Sequence, residues 1–314
     1  MIYVGVDVGG TNIKIGLVDI KGAILADNFI RTDKSKDYKG ILDDIVADIK
    51  LLCNEAGVDY HDIGGIGVGV PGVVDSRTGT VSYSANLGWR DVPLVHGLEV
   101  ASGIHAEAAN DANCAAWGEY KFGSCRSMDN VILITLGTGV GSGIIIDGRL
   151  FDGVASAGGE AGHMIIVKDG KQCNCGLKGC WECYASASAL ISQTEEAMKK
   201  YPDSILRNVA EKEGKISGRT AFIAAEKGDK AGKEVVENYI DYIATGLINL
   251  GNIFHPNAII IGGGVSNEGA ALIEPLEEKV NAGLLASEHN PKVRIIGASL
   301  GNKAGLIGAA ALVM

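Results

Sequence analysis

Two distant segments of the chain can be superimposed without a gap. They are DVGGTNIKIGLVD (Asp7–Asp19) and TLGTGVGSGIIID (Thr135–Asp147), and Gly9 falls on Gly137. Each segment reads as a strand, a turn rich in glycine and threonine, a second strand and an acidic turn. The match is either a coincidence between two hairpins or the trace of a duplicated α/β half whose two turns face one cleft.

Strands and helices alternate along the rest of the chain. Apolar runs bounded by glycine predict strands, for example at Ile2–Asp7 and Val131–Leu136. Apolar residues spaced three or four apart predict helices at Tyr38–Ala56, Ala185–Lys200 and Val235–Phe254. Because 314 residues suffice for two separate cores, the pattern predicts an α/β protein of two domains.

Composition narrows the class of function. The net charge is −10 and no cluster of Lys and Arg forms a basic face, so a nucleic-acid partner is not expected. The apolar C-terminal run AGLIGAAALVM is too short to span a bilayer, and MIYVGVDVGG does not resemble a secretory signal. We therefore expect a cytoplasmic protein without membrane partners, whose cysteines stay reduced.

Three glycine-rich turns are candidate phosphate sites. Glycine lets backbone N–H groups approach phosphate oxygens, threonine adds a hydroxyl, and a carboxylate at a strand end can hold Mg²⁺ through water. The alternatives are a plain hairpin for the first two turns and a tight strand-to-helix turn for the third. The predicted cofactor-binding residues are Asp7, Gly9, Gly10, Thr11, Asn12, Lys14, Gly137, Thr138, Gly139, Gly262, Gly263 and Gly264.

Polar residues with two possible roles lie elsewhere in the chain. Asn110 and Asp111 stand between a predicted strand and a predicted helix, where Asp111 is either a helix cap or a general base. Glu160, His163 and Glu182 bracket a cluster of cysteines. That proximity suggests a polar pocket built on a rigid metal site.

The cysteine cluster lies in HMIIVKDGKQCNCGLKGCWEC, residues 163–183. A redox pair at Cys180 and Cys183 lacks a thioredoxin-like context. Structural tetrahedral zinc fits two ligand sets, four thiolates or three thiolates with one imidazole, and spacing alone does not separate them. The first set is Cys173, Cys175, Cys180 and Cys183, and the second replaces Cys183 by His163.

Several of these segments together resemble the ROK family of sugar kinases and related repressors. The segments are DVGGTNIKIGLVD, GVPGVVD, NDANCAAWGE, LGTGVGSGIIIDG, GGEAGH and CNCGLKGCWE, and Asn86-Leu87-Gly88-Trp89 is most similar to the glucokinase branch. The resemblance implies an actin-like, ribonuclease-H-like fold with two α/β domains around a cleft. It places residues 1–115 and a C-terminal helix at about 302–314 in one domain, and residues 116–301 with the zinc site in the other.

The resemblance also assigns roles to individual residues. It implies that Asp111 is the catalytic base, and that zinc is bound by His163, Cys173, Cys175 and Cys180, which leaves Cys183 spare. It implies ATP, Mg²⁺ and structural Zn²⁺ as cofactors and a homodimer as the assembly. The residues expected to bind the sugar are Gly72, Asn86, Asn110, Asp111, Glu160, His163 and Glu182.

The predicted activity is ATP-dependent phosphorylation of a hexose at the 6-hydroxyl, with glucose as the expected substrate. Kinases of N-acetylmannosamine or N-acetylglucosamine are the first alternatives, followed by a fructokinase. A non-catalytic, sugar-responsive regulator is the alternative from another class. It is disfavoured because the first predicted strand starts at Ile2, with no helix-turn-helix before it, and because the chain is acidic.

Overall fold

The computed structural model describes residues 1–314 and divides into two compact units. Unit 1 comprises Met1–Asn130, Gly143–Gly159 and Ser299–Met314, and unit 2 comprises Val131–Ser142 and Glu160–Ala298. The domain boundary expected after residue 115 falls inside a helix that packs on the C-terminal helix, so this helix stays in unit 1.

The secondary structure is mixed. The strands are β1 (Ile2–Val8), β2 (Asn12–Asp19), β3 (Ile24–Arg31), β4 (Ile63–Val70), β5 (Val73–Asp75), β6 (Thr80–Ser84), β7 (Trp89–Val92), β8 (Ala106–Asn110), β9 (Val131–Leu136), β10 (Val140–Ile146), β11 (Arg149–Phe151), β12 (Ala258–Gly262) and β13 (Arg294–Gly297). The helices are α1 (Tyr38–Ala56), α2 (Leu94–Ser102), α3 (Asp111–Phe122), α4 (Glu182–Ala185), α5 (Ala187–Lys200), α6 (Leu206–Glu213), α7 (Thr220–Glu226), α8 (Lys230–Phe254), α9 (Ala270–Gly283) and α10 (Ala304–Ala310). No helix combines the length and the apolar composition that crossing a membrane requires.

Unit 1 is built on a five-stranded sheet of order β3-β2-β1-β4-β8. Strands β1, β4 and β8 run parallel. On the other side of β1, β2 pairs antiparallel with β1, and β3 pairs antiparallel with β2. The apolar face of α1 covers the sheet through Ile41, Ile45, Ile49 and Leu52, all at most 3% exposed. Because parallel strands end at the same edge, the residues after β1, β4 and β8 are brought to one side of the sheet.

The second five-stranded sheet has the order β11-β10-β9-β12-β13, and the unit boundary divides it within β10. In unit 2, β9, β12 and β13 run parallel. Its order is that of the first sheet, position by position, with β9 in the place of β1 and β10 in the place of β2. The two superimposable sequence segments therefore occupy equivalent strands, which favours a duplicated α/β half over a coincidence between hairpins.

Glycine allows the C-terminal helix to lie against the first sheet. A β-carbon on Gly5 would overlap the carbonyl oxygen of Leu306, and one on Gly67 would overlap that of Ala309. The helix also crosses α3 closely, because a side chain on Gly308 would overlap the carbonyl oxygen of Cys114. These close approaches bury α10 and fix it in unit 1.

Two predicted helices have different starts in the structure. The helix expected from Ala185 is broken at Ser186, whose extended backbone ends α4 and whose hydroxyl caps α5 by accepting the N–H of Ala189. The helix expected from Val235 begins five residues earlier, because the Asp229 side chain caps the N–H of Gly232. Polar caps, rather than the apolar stripe, set both starts.

Candidate active site and metal centre

The first glycine turn connects β1 to β2 and is held by its own backbone. The N–H of Gly9 donates to the carbonyl of Asn12 at 2.9 Å. Thr32 clamps the turn from outside, because its hydroxyl donates to the Gly9 carbonyl at 2.7 Å and its N–H to the Thr11 carbonyl at 2.9 Å. Sequence reasoning missed Thr32, since its partners lie far away along the chain and no local pattern marks them.

Asp7 and Lys14 face each other across this hairpin. They are cross-strand partners in the β1–β2 register, and the ammonium of Lys14 lies 3.1 Å from the Asp7 carboxylate. Lys14 also donates to the carbonyl of Asn302 at 3.3 Å. The Asp7 side chain remains 21% exposed at the edge of the sheet, which is compatible with holding a cation through water.

Asp111 was expected to be either a helix cap or a general base, and the cap of α3 is its neighbour Asn110. Asn110 is the N-cap of α3, because its Oδ1 accepts the N–H of Ala112 at 2.8 Å and that of Asn113 at 3.3 Å. Asp111 is the first helical residue, and its Oδ1 accepts the N–H of Ala112 at 2.9 Å. The helix therefore has its cap without Asp111, and the helix N-terminus stabilises the ionised carboxylate.

The other predicted residues of unit 1 lie around this edge. The Asn110 amide donates to the carbonyl of Gly72 at 3.0 Å, and Gly72 has a φ of +115° that few side chains tolerate. The β-carbon of Asn86 is 3.6 Å from where a β-carbon on Gly10 would be. The structure thus brings Gly72 to Asn110 and Asn86 to the first glycine turn.

Cys114, one turn into α3, is a fully buried thiol. Burial raises the pKa of its thiol well above the usual value, and the negative charges of Asp111 and Asp7 raise it further. A β-carbon on Gly69 would lie 3.2 Å from the Cys114 sulfur and 3.6 Å from the α-carbon of Asp111, so this part of α3 packs against β4. This fits the parallel register, in which Asp7 lies opposite Gly69 and Val70 lies opposite Asn110.

In unit 2, the second glycine turn is tied to Glu182. The carboxylate of Glu182 accepts the N–H of Val140 at 3.0 Å, and a β-carbon on Gly139 would overlap this carboxylate. Ser188 donates its hydroxyl to the carbonyl of Thr138 at 2.9 Å. Sequence spacing could not find these contacts, and they make Glu182 a support of the turn, whether or not it also binds sugar.

The third glycine run lies beside the second turn. Gly263 has a φ of +84°, and a side chain there would overlap the carbonyl oxygen of Leu136, which immediately precedes Gly137. At Gly137 and Gly264, by contrast, a β-carbon would meet no atom within 4 Å. The exposed glycines Gly263 and Gly264 and the half-buried turn at Gly137 therefore lie close together, as a bound nucleotide would need.

Four side chains form a compact group, the ligand cluster, that could hold a metal ion. The ligand atoms of His163, Cys173, Cys175 and Cys180 all lie within 4.8 Å of one another. The Cys175 and Cys180 sulfurs are 3.6 Å apart, and the Cys173 sulfur is 3.8 Å from Nδ1 of His163. Zn–S bonds of about 2.3 Å place sulfurs about 3.8 Å apart around tetrahedral zinc, so the group fits this metal.

Cys183 lies outside that group. Its sulfur contacts the carbonyl of Gln172 at 3.6 Å, and burial raises the pKa of its thiol to about 11. Burial likewise raises the pKa of Cys180 to about 12, whereas the N–H of Leu177 lowers the pKa of Cys175. The arrangement favours the mixed thiolate and imidazole set over the four-cysteine set.

The segment from Glu160 to Trp181, which carries the ligand cluster, is anchored at its ends. Trp181, next to Cys180, is fully buried and donates its indole N–H to the carbonyl of Tyr242 at 2.8 Å. At the other end, the N–H of His163 donates to the carbonyl of Glu160 at 3.1 Å, and Ser142 accepts the N–H of Ala161 at 3.0 Å. Glu160 and His163 therefore share one short turn, as the spacing suggested.

Comparison with known proteins identifies similar chains over the full length. The model of the ROK family matches residues 3–314. A glucokinase from Streptomyces coelicolor is 38% identical over 312 residues, which are 98% of this chain and 96% of that protein. A ROK family glucokinase from Streptomyces griseus, solved with glucose and AMPPNP, has a TM-score of 0.84 at 37% identity and covers 99% of each chain.

The chain is also similar to a transcriptional repressor. The xylose repressor of Bacillus subtilis is 30% identical over 313 residues, which are 99% of this chain but 76% of the repressor. The repressor thus has a part with no counterpart in these 314 residues.

Proposed function

Because the chain belongs to the ROK family, we propose that it transfers the γ-phosphoryl group of ATP to the 6-hydroxyl of a hexose, with glucose as the preferred substrate. The observation that carries this proposal is the full-length similarity to glucokinases, one of which was solved with glucose and AMPPNP. We place the reaction in the cytoplasm, and the family is also our basis for proposing a homodimer.

Asp111 is the proposed base. Its carboxylate takes the proton of the sugar 6-hydroxyl as that oxygen attacks the γ-phosphorus, while the bond to the ADP oxygen breaks. Its place between β8 and α3 supports this role, because Asn110 already caps the helix and Asp111 is not needed as the cap. Asn110, Gly72 and Asn86 are the sugar-binding residues proposed on the same unit.

The phosphates are assigned to the glycine turns. Gly10 and Thr11 in the first turn and Thr138 in the second would offer backbone N–H groups and hydroxyls to phosphate oxygens. The N–H groups of Gly9 and Gly137 are bonded to the carbonyls of Asn12 and Gly139, so these two glycines would contribute by letting the phosphates approach closely. Mg²⁺ would neutralise phosphate charge, and Asp7 would hold it through water. The open space beside Gly137 and Gly264, where a β-carbon would meet no atom within 4 Å, supports this assignment.

A structural zinc ion is assigned to His163, Cys173, Cys175 and Cys180. With four protein ligands it would have no open coordination position, so its contribution would be to fix the segment. Nδ1 of His163 is its ring nitrogen near Cys173, which leaves the other ring nitrogen for a sugar hydroxyl. Glu182 has its second oxygen 3.9 Å from the Cys173 sulfur, so the same segment would also position Glu182.

A panel of sugars tests the function. ADP release is measured with glucose, mannose, fructose, N-acetylmannosamine and N-acetylglucosamine as acceptors. We expect the highest kcat/KM with glucose. A higher value with an N-acetylated sugar would move the proposal to the alternative kinases, and equal background rates with every sugar would contradict a kinase.

Gly137→Val tests the second turn without disturbing its packing. A β-carbon at this position would meet no atom within 4 Å, so we expect the variant to fold, and the valine side chain would block the approach of phosphate to the backbone. We expect the KM for ATP to rise about tenfold or more and the KM for glucose to change little.

Gly137→Ala, with a smaller side chain, should have a smaller effect in the same direction. Gly9→Val is a poorer probe, because its β-carbon would lie 2.7 Å from the Asn12 carbonyl and distort the turn itself. A folded Gly137→Val protein with an unchanged KM for ATP would mean that the second turn is only structural.

A further inference from the structure

A lysine that no motif singles out lies against the first glycine turn. The ammonium of Lys34 is 3.8 Å from where a β-carbon on Gly10 would be, and Asn86 flanks the same position at 3.6 Å. Lys34 thus stands at the point where a residue assigned to the phosphates meets one assigned to the sugar. That is where the transferred phosphoryl group has to pass.

The loop that carries Lys34 is held in place from both sides. Thr32 is 7% exposed and bonded to the turn through the carbonyls of Gly9 and Thr11. Asp33 and Ser35 flank the lysine, and the Asp33 carboxylate accepts both the N–H and the hydroxyl of Ser35, at 3.0 and 2.6 Å. The backbone around Lys34 therefore has a defined path, and its side chain starts from a fixed point.

The charge of Lys34 has no partner within the protein. Lys14 is paired with Asp7 at 3.1 Å, and Lys36 is paired with Asp44 at 2.7 Å. Lys34 forms neither an ion pair nor a hydrogen bond, because the adjacent Asp33 carboxylate is turned to Ser35. An unpaired, exposed ammonium beside a glycine turn is suited to an anion.

Resting on the proposed function, we propose that Lys34 binds the γ-phosphoryl group of ATP and stabilises its negative charge during transfer. An ammonium is a compact charge with three donors, which suits the three non-bridging oxygens that stay on phosphorus while it passes from the ADP oxygen to the sugar oxygen. The same contact would hold the 6-phosphate of the product. Lys34 is then a catalytic residue that touches the reacting group, and it adds to the backbone N–H groups of the turn.

Measurements of nucleotide affinity test the proposed contact between Lys34 and the γ-phosphoryl group without relying on turnover. Titration calorimetry with Mg²⁺ and AMPPNP, and separately with Mg²⁺ and ADP, compares nucleotides with and without a third phosphate. For Lys34→Met we expect the Kd of AMPPNP to rise about tenfold while the Kd of ADP stays within about twofold. Lys34→Arg keeps a positive charge and should recover most of the AMPPNP affinity.

Lys36→Met is the matched control, since it removes a lysine two residues away whose ammonium is paired with Asp44. It should leave both affinities unchanged. Equal AMPPNP affinity in Lys34→Met and wild type would overturn the inference, as would an equal loss for AMPPNP and ADP. A wild-type protein that bound neither nucleotide would instead overturn the proposed function, and the inference with it.

Discussion

Asp111→Asn should lower kcat by about 10²-fold or more while the affinity for glucose changes little. The amide has nearly the same shape as the carboxylate but cannot accept the proton of the 6-hydroxyl. The helix should remain intact, because Asn110 supplies the cap through two accepted N–H bonds. Steady-state kinetics and the Tm of the variant are the measurements.

Asp37→Ala is the control for this variant. Asp37 caps α1 by accepting the N–H of Gly40 at 2.9 Å and has no proposed role in catalysis. Its loss should cost about 1 kcal/mol of stability and leave kcat unchanged. If Asp111→Asn behaved in the same way, with a lower Tm and near-normal turnover, its carboxylate would be structural and another base would be needed.

Cys175→Ser should lose both zinc and sugar affinity, with glucose binding weakened by about tenfold or more. The serine hydroxyl replaces a thiolate that lies 3.6 Å from the next sulfur of the group. Without the metal, the segment that carries His163 and Glu182 would no longer be fixed. Zinc content is measured by elemental analysis of the purified protein, and glucose affinity by calorimetry.

Cys183→Ser is the matched substitution, because Cys183 lies in the same segment but outside the ligand cluster. It should keep full zinc content and glucose affinity. His163→Asn should weaken glucose binding whether or not metal remains. Loss of zinc from Cys183→Ser together with full zinc in His163→Asn would identify the four cysteines as ligands and remove the histidine's link between metal and sugar.

The apolar pattern predicted the framework well where burial alone decides the structure. The strand at Val131–Leu136 and the helix at Tyr38–Ala56 have the predicted bounds, because their buried residues follow the period of one element between breaking residues. The pattern was less informative where a polar cap decides. The start of α5 at Ser186 and the start of α8 at Asp229 each depend on a side chain that accepts a backbone N–H group.

The residues of the candidate site also fall into those that the sequence predicted and those that it did not. The glycine turns, Asn110, Asp111 and the cysteine cluster could be named from their sequence neighbours, because each motif is local. The contacts of Thr32 with the first turn, of Glu182 with Val140 and of Lys34 with Gly10 could not be predicted, because each joins segments distant in the chain. No local pattern records which loop will fold back onto which turn.

The sequence by itself determined the α/β class, the repeated strand–turn–strand unit and the residue types of each candidate site. These are properties of periodicity and of local backbone chemistry, and they are present before any long-range contact forms. Only the tertiary structure decided that Asn110 rather than Asp111 caps α3 and that Lys34 has no carboxylate partner. It also groups His163, rather than Cys183, with the other three cysteines, which spacing left open and the resemblance implied. In each case the spacing along the chain leaves more than one candidate open. The choice is settled by distances of a few ångströms, which depend on how the strands and loops pack.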